Sequence, residues 1–316
     1  MYRSKLHQVY AMDLFQLETF LTVAREGSFS RAAKKLFRTQ PAVSQMVRKL
    51  EDEIGEPLFD RSSRDGILTD AGRVLQDYAQ KLLNMRGEAL LALDELKQMH
   101  KGKLAVAANE FTCLYLLPVL DEFRRLYPMI KVAVQRSLAS RISDELLSHN
   151  VELGVLTFRP EDPVLKSIVV YRDELAFVVP PRHPLASAQR VRIRQLGAEC
   201  FVAHNVPSPY RQKVLETFRK RKVPLNMPVE LPTIEAIKKF VASGNGVALI
   251  PAICVETEVS RGDLVRIPVS ELALERKLRL VYRKNASLSH AARAFLKVAE
   301  TFANQKGGRY LFQPER

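Results

Sequence analysis

Apolar residues at the start of the chain recur at helical spacing. Leu14, Leu17, Leu21 and Ala24 share one face of a helix that Gly27 stops. Ser30 reads as the cap of a short second helix, with Ala32, Ala33 and Leu36 as its apolar face. Phe37-Arg38-Thr39 makes a tight turn. Thr39 or Gln40 then caps a third helix, with Pro41 in the first turn, where no hydrogen bond is lost. Val43, Val47, Leu50 and Ile54 form its buried stripe, which leaves Gln40, Pro41, Ser44, Gln45 and Arg48 on the opposite face. Two short helices joined by a turn, the second with polar and basic groups outward, make a helix-turn-helix. The same pattern also fits a helical hairpin with a solvated face. The residues after the third helix favour the helix-turn-helix. Leu58 to Arg61, a polar tip and Ile67-Leu68 predict a short hairpin, or wing, and Arg61 and Arg64 stand where a wing meets phosphates. Thr69 caps the next helix.

From Arg73 to His100 the helical pattern is unbroken. Leu75, Leu82, Ala89 and Leu96 are spaced by seven, and Tyr78, Met85, Ala92 and Met99 repeat the spacing three residues later. This is the a/d seam of a coiled coil, on a helix roughly 40 Å long. Nothing before it is large enough to cover the seam, so a second subunit is the expected partner. Lys101-Gly102-Lys103 reads as a hinge. Beyond it the pattern alternates short strands and helices. Strands are predicted at Leu104 to Ala108, Lys131 to Gln135 and Glu152 to Leu156, with helices at Leu116 to Leu126 and Ser140 to Leu147. A second set runs from Cys200 to Ala203 through helices at Tyr210 to Arg221 and Ile234 to Ser243 to a strand at Val247 to Ile250, and Gly244-Asn245-Gly246 turns back into that strand. Leu278 to Tyr282 and a helix from Ser289 to Phe302 close the fold. Two such α/β lobes imply a cleft between them, with crossings near Val178-Val179-Pro180 and Leu278 to Tyr282. Lys306 to Arg316 reads as a frayed tail. Met1 to Ala11 reads as a disordered extension ahead of a start at Met12.

Particular residues add more than periodicity does. Ser28-Phe29-Ser30-Arg31-Ala32-Ala33, Leu36, Gln40-Pro41-Ala42-Val43-Ser44, Leu50-Glu51, Gly55, Pro57-Leu58-Phe59, Arg61, Thr69 and Ala71-Gly72 resemble the amino-terminal signature of LysR-type transcriptional regulators. The match in order and spacing runs from about Leu14 to Gly72 and continues more loosely to about Phe302. The resemblance implies an α/β protein in three parts. A winged helix-turn-helix spans residues 12–72 and a dimerising linker helix 73–100. A two-lobed effector domain, like a periplasmic binding protein, spans 101–305, with lobe I at about 101–178 and 278–305 and lobe II at about 179–277. It also implies homodimers that pair into tetramers on interrupted palindromes near promoters, with double-stranded DNA and a small-molecule effector as partners and RNA polymerase as a further candidate. Gln45 departs from the Arg the family often carries there, which bears on base preference and leaves the docking mode intact.

On this reading Arg31, Thr39, Gln40, Pro41, Ser44, Gln45, Arg48, Arg61 and Arg64 are the DNA-contacting candidates. The strand ends and helix starts facing the cleft supply Asn109, Thr112, Ser137, Thr157, His204 and Thr233 as effector contacts. Thr112 and Thr233 place hydroxyls beside free backbone N–H groups, which suits a carboxylate or other anion. Each is also an ordinary helix cap. Glu110 beside them works against an anion unless it faces away or the ligand carries an amine.

The formal net charge is +14, spread along the chain, which favours a polyanionic partner. With 47% hydrophobic and 27% charged residues the chain is not disordered. Cys113, Cys200 and Cys254 are odd in number and far apart, so no disulfide framework is implied, a reducing cytoplasm fits, and each is expected to pack as a small apolar residue. No stretch is long and apolar enough for a membrane span. The rival is an enzyme or solute-binding protein on the same two-lobed architecture. The chain carries no GxSxG, GxxxxGK[ST] or HExxH, and its histidines have no ligand spacing. No catalytic residue, metal or cofactor is expected. An architectural nucleic-acid binder would have no use for the effector domain.

Overall fold

The computed structural model describes residues 12–60, 66–97, 102–206, 208–284 and 288–315. These form two compact units, one running through the long helix and the other beginning at the first strand.

In the first unit α1 spans Leu14–Glu26, α2 Phe29–Lys35 and α3 Gln40–Ile54. Asp13 starts α1: its carboxylate accepts the Phe15 N–H, while the Gln16 side chain accepts the Asp13 N–H. Gly27, left-handed at φ 58°, ends it as the sequence predicts. The cap of α2 is Ser28 rather than Ser30. Ser28 has extended backbone and its hydroxyl accepts the Arg31 N–H, so Ser30 falls inside the helix. Leu17, Phe20, Val43, Val47, Leu50, Leu58 and Phe59 are all buried in one core. The Thr69 hydroxyl caps the long helix α4, Asp70–Lys97, by accepting the Gly72 N–H. Gly72 is obligatory, because a Cβ there would lie 2.2 Å from the Leu58 carbonyl oxygen. The wing passes that close to α4, and the bridge between Phe59 and Leu68 forms its base.

In the second unit the predicted hinge at Lys101-Gly102-Lys103 is instead the start of a strand. Lys101 lies outside the described residues, but Gly102 and Lys103 pair with Ile130 and Lys131. This strand, β1, spans Gly102–Ala108. It is followed by α5, Thr112–Leu126; β2, Ile130–Arg136; α6, Ala139–Leu147; and β3, Leu153–Leu156. The three strands are parallel. Helix α5 begins four residues before the predicted Leu116, because Asn109 and Thr112 cap each other and carry the helix across Pro118. Leu153 and Val155 face α5, while Gly154 faces α6, where a Cβ would meet Ile142 at 2.5 Å.

The element that joins the lobes has no counterpart among the predicted strands. Strand β4, Leu165–Val179, is one continuous strand that serves two sheets. After it come β5, Cys200–His204; α7, Pro209–Lys220; β6, Asn226–Leu231; α8, Ile234–Ala242; β7, Ala248–Pro251; α9, Glu256–Arg261; and β8, Val265–Ile267. Next are β9, Glu275–Arg283; α10, His290–Lys306; and β10, Tyr310–Pro314. Leu165 to Glu174 pair with β9 in lobe I, and Leu175 to Val179 pair with β7 and β8 in lobe II. The chain therefore crosses at Glu174-Leu175 and returns at Leu274-Glu275, which corrects both expected crossings and the lobe bounds drawn from them. Gly246, at φ 111°, makes the predicted turn, since a Cβ would lie 2.5 Å from the Cys200 carbonyl oxygen.

The frayed tail is also corrected. β10 pairs antiparallel with β4 and forms the sheet edge, giving the order β10-β4-β9-β3-β1-β2. The Tyr310 ring packs 5.0 Å from Tyr171 and 5.1 Å from Phe302, and the Glu315 carboxylate takes two hydrogen bonds from Arg279 and one from Ser167. Aromatic burial and this charge-assisted anchor offset the entropy of ordering the segment. The extension at residues 1–11 lies outside the described residues.

Candidate nucleic-acid interface and interlobe site

Helix α3 is fixed from behind by Val43, Val47 and Leu50, each buried. Glu51 also turns inward, and its carboxylate accepts the Leu58 N–H at 2.7 Å and the Phe59 N–H at 3.3 Å, which ties the wing base to α3. The opposite face is open. Thr39, Gln40, Pro41, Gln45 and Arg48 are exposed; Ser44 is half-buried and accepts from the Gln40 side chain at 2.9 Å. Thr39 occupies the cap position without a side-chain cap bond, so its hydroxyl stands free beside the positive end of the helix. These predicted residues do share one surface. Arg31 is exposed at the start of α2, and its Nε donates to the Glu26 carbonyl at 3.0 Å, so it doubles as a cap for α1. Arg61 and Arg64 lie outside the described residues. Sequence reasoning missed Phe37, a 94% exposed aromatic held at φ 54° beside the start of α3. Its place in the turn was legible, but its outward ring was not.

Helix α4 has two apolar faces. Ala79 is buried in the core of its own unit, with Leu75 and Leu83 packed partly buried against that core. Leu75 therefore leaves the predicted seam, because it lies about 100° around the helix from Val74 and points inward. Val74, Tyr78, Leu82, Met85, Ala89 and Leu93 form an exposed stripe. The side chains of Ala92 and Leu96, and all of Met99, lie outside the described residues.

Between the lobes, the structure separates the predicted contacts. Thr112 is fully buried; its hydroxyl accepts the Asn109 N–H at 3.0 Å and its own N–H donates to the Asn109 side chain at 2.8 Å. Both groups are spent on the start of α5, so Thr112 is a cap and not a contact at the cleft surface. Ser137 donates weakly to the Leu138 carbonyl at 3.4 Å, and its own N–H donates to the Ala108 carbonyl at 3.0 Å, which sets it beside Asn109; Thr157, His204 and Thr233 fall into two clusters.

The first cluster brings His204 and Thr233 together with Glu110. Glu110 accepts the Ile234 N–H at 3.0 Å, and its other oxygen lies 3.8 Å from His204 Nε2. The second surrounds a cavity of about 280 Å³ lined by Thr157, Arg159, Tyr210, Lys213, Lys277 and Arg279, with Glu275 also at its wall. The Tyr210 hydroxyl crosses from lobe II and donates to the Thr157 carbonyl at 3.2 Å. Arg279 is held by Glu315, and Glu275 by Arg172 at 3.5 Å, so the four cationic residues outnumber the two carboxylates paired there. A pocket with excess positive charge and an aromatic wall suits a small anion.

Arg276 joins the two clusters. Its guanidinium lies 5.3 Å from the Phe111 ring and 4.9 Å from the Tyr210 ring, and pairs with Asp173 at 2.9 Å. Both charged side chains are almost wholly buried where the chain crosses between lobes. Burial raises the Asp173 carboxyl above the usual carboxylate value, against the opposing pull of Arg276 and the backbone N–H groups of Glu174 and Ile253.

Cys254 is buried as expected, and burial pushes its thiol up to about 12. Cys200 is exposed, contrary to expectation, because it lies at the outer end of β5. Among the described residues no group of His, Cys, Asp and Glu could hold a metal ion, and no helix is long and apolar enough to cross a membrane.

Comparison with known proteins agrees with this division. Residues 14–73 match the family described as bacterial regulatory helix-turn-helix protein, lysR family, and residues 97–303 match the LysR substrate binding domain. A probable RuBisCO transcriptional regulator of Emiliania huxleyi is 34% identical over 85% of this chain and 88% of its own. A RuBisCO operon transcriptional regulator of Allochromatium vinosum is 31% identical over 90% and 94%. The fold is similar to that of full-length CbnR complexed with its target DNA, at a TM-score of 0.71 and 19% identity, covering 92% of this chain and 99% of that one.

Proposed function

Because this chain belongs to the LysR family of bacterial transcriptional regulators, we propose that it binds an interrupted palindromic promoter site as a two-fold dimer that pairs into a tetramer, and that a small anionic metabolite controls it. The chain is a DNA-binding regulator with an effector-binding domain, and the family is one of regulators and not of enzymes. It acts in the cytoplasm, with RNA polymerase as its partner at the promoter.

The observation that carries the DNA reading is the open polar face of α3. The helix is locked from behind while Gln40, Gln45 and Arg48 point away from the core. This supports α3 in the major groove, with Gln40, Ser44, Gln45 and Arg48 at base edges and Thr39, Arg31, Arg61 and Arg64 on the backbone. Arg48→Ala should cost about 1–3 kcal/mol at the cognate site and relax its specificity. Arg64→Ala should weaken all sequences alike and lower the salt slope by about one. Fluorescence-anisotropy titrations across salt test both, and unchanged binding in the two variants would overturn the docking. Operators from RuBisCO operons are the first DNA to try, given the names of the relatives.

The effector reading moves from the predicted rim to the cavity beside Thr157. Arg159, Lys213 and Lys277 support an anionic group there, and Tyr210 supports a flat or aliphatic part beside it. Lys213→Glu is expected to weaken binding of phosphorylated or carboxylated metabolites at least about tenfold, the effect of losing one charge-assisted contact. Calorimetry on a metabolite found by thermal-shift screening checks this. Equal affinity in the variant and the parent would place the effector elsewhere.

A further inference from the structure

Glu110 stands in the turn between β1 and α5, in lobe I. Its two carboxylate partners belong to lobe II. One is the Ile234 N–H at the first turn of α8, accepted at 3.0 Å; the other is His204 at the end of β5, whose Nε2 lies 3.8 Å away. His204 Nδ1 accepts the Val206 N–H at 3.1 Å, so the neutral ring carries its proton on Nε2, the nitrogen nearest Glu110. That nitrogen is buried and has no hydrogen-bond partner, so a displacement of less than an ångström would complete a second bond to the carboxylate. Thr233 already satisfies the Ala236 N–H, which leaves the Ile234 N–H as the group that Glu110 serves.

We propose that Glu110 is a latch between the lobes: an internal carboxylate occupying the positive end of α8, where an external anion would otherwise bind, and holding the effector domain closed without a ligand. A negative charge at a helix N-terminus is stabilising there, and the contact spans residues 124 apart in sequence, so it can form only when the lobes approach. Phe111 in the same turn and Leu114 in the first turn of α5 pack on the lobe II core, so Glu110 is the polar end of an apolar interlobe contact. The proposal rests on the interlobe cleft being the effector site. An effector that opens or tightens the lobes then works against, or together with, this contact.

The test uses the full-length protein without any added ligand. Spin labels at Arg141→Cys and Lys220→Cys, one in each lobe and both exposed, report lobe separation in a Cys200→Ser background. Amide hydrogen exchange reports on Ile234. Glu110→Ala is expected to broaden and lengthen the interlobe distance distribution and to speed Ile234 exchange at least tenfold. Glu110→Gln keeps an acceptor without the charge, and should fall between Glu110→Ala and the parent. An unchanged distance distribution in Glu110→Ala, with circular dichroism showing an intact fold, would overturn the latch, whatever happens at Ile234. Because no ligand is present, that result would leave the Thr157 cavity standing. Failure of the cavity to bind inorganic phosphate or a phosphorylated metabolite in the parent would in turn leave the latch measurement standing.

Discussion

Leu82→Asp should dissociate the protein into folded monomers and weaken operator binding by about 10²–10⁴-fold, the range by which linked binding exceeds that of a single head. Leu82 lies in the middle of the exposed stripe of α4, is 40% exposed, and is not needed by the core beneath the helix. In a two-fold dimer the substitution would bury two carboxylates against each other without partners, which is strongly unfavourable. In the monomer it would remain solvated, so the helical content should not change. Leu82→Ala removes area without adding charge and should give a weaker dimer that still forms at higher concentration. Sedimentation equilibrium and anisotropy on one set of samples separate the two effects. A dimer of undiminished stability in Leu82→Asp would mean that α4 is not the seam.

Arg276→Ala should lower the stability of the effector domain by about 3–5 kcal/mol, the usual cost of removing one partner of a buried ion pair. For a domain of this size that is a fall in Tm of roughly 10 °C. Asp173 would be left buried with the Glu174 and Ile253 N–H groups beside it and Arg309 as a weaker cationic influence, and the Phe111 and Tyr210 rings would lose the Arg276 cation between them. The pH dependence has a defined sign. The folded carboxyl of Asp173 is raised above its unfolded value. Its contribution to stability is therefore greatest when it is protonated in both states, and is lost as pH rises through the folded pKa. Loss of Arg276 raises that pKa further, so the gap between variant and parent should be widest near neutrality and narrow as pH falls toward the carboxylate range. Calorimetry at several pH values checks both points. A deficit below about 1 kcal/mol would mean that the pair is no more than a surface contact in effect.

Much of this architecture is legible in the sequence where a single period governs a segment. Helices α1, α3 and α4 follow from apolar spacing, and the glycine stop at Gly27 and the turn at Gly246 follow from backbone freedom that other residues lack. Strand β4 was not legible, because one run of apolar residues serves two sheets and nothing local marks the change of partner at Glu174. The carboxy-terminal strand was hidden for a similar reason: Tyr310 and Glu315 are ordered only by residues far back in the chain. Ser28 and Ser30 are both good caps, and only the backbone geometry chooses between them. At the candidate sites, the outward face of α3 was readable from the inward one. The cleft was readable only as a region. Thr112 had the right chemistry in the right place, but its hydroxyl was already committed to Asn109. Lys277 and Arg279 gave no local sign of lining a cavity, and the pairing of Glu110 with Ile234 is a tertiary contact that no short window contains.

The most direct test of DNA recognition by a two-fold dimer through α3 is a footprint. DNA selected from a randomised pool by the full-length protein should be probed by hydroxyl-radical cleavage and guanine methylation in the bound state. Two protected major-groove segments related by two-fold symmetry are expected, with centres one helical turn apart (about 10–10.5 base pairs) or a multiple of that. Arg48→Ala should remove methylation protection within each segment and leave the backbone pattern in place. A single unsymmetrical patch, or protection confined to the minor groove, would contradict this mode of binding.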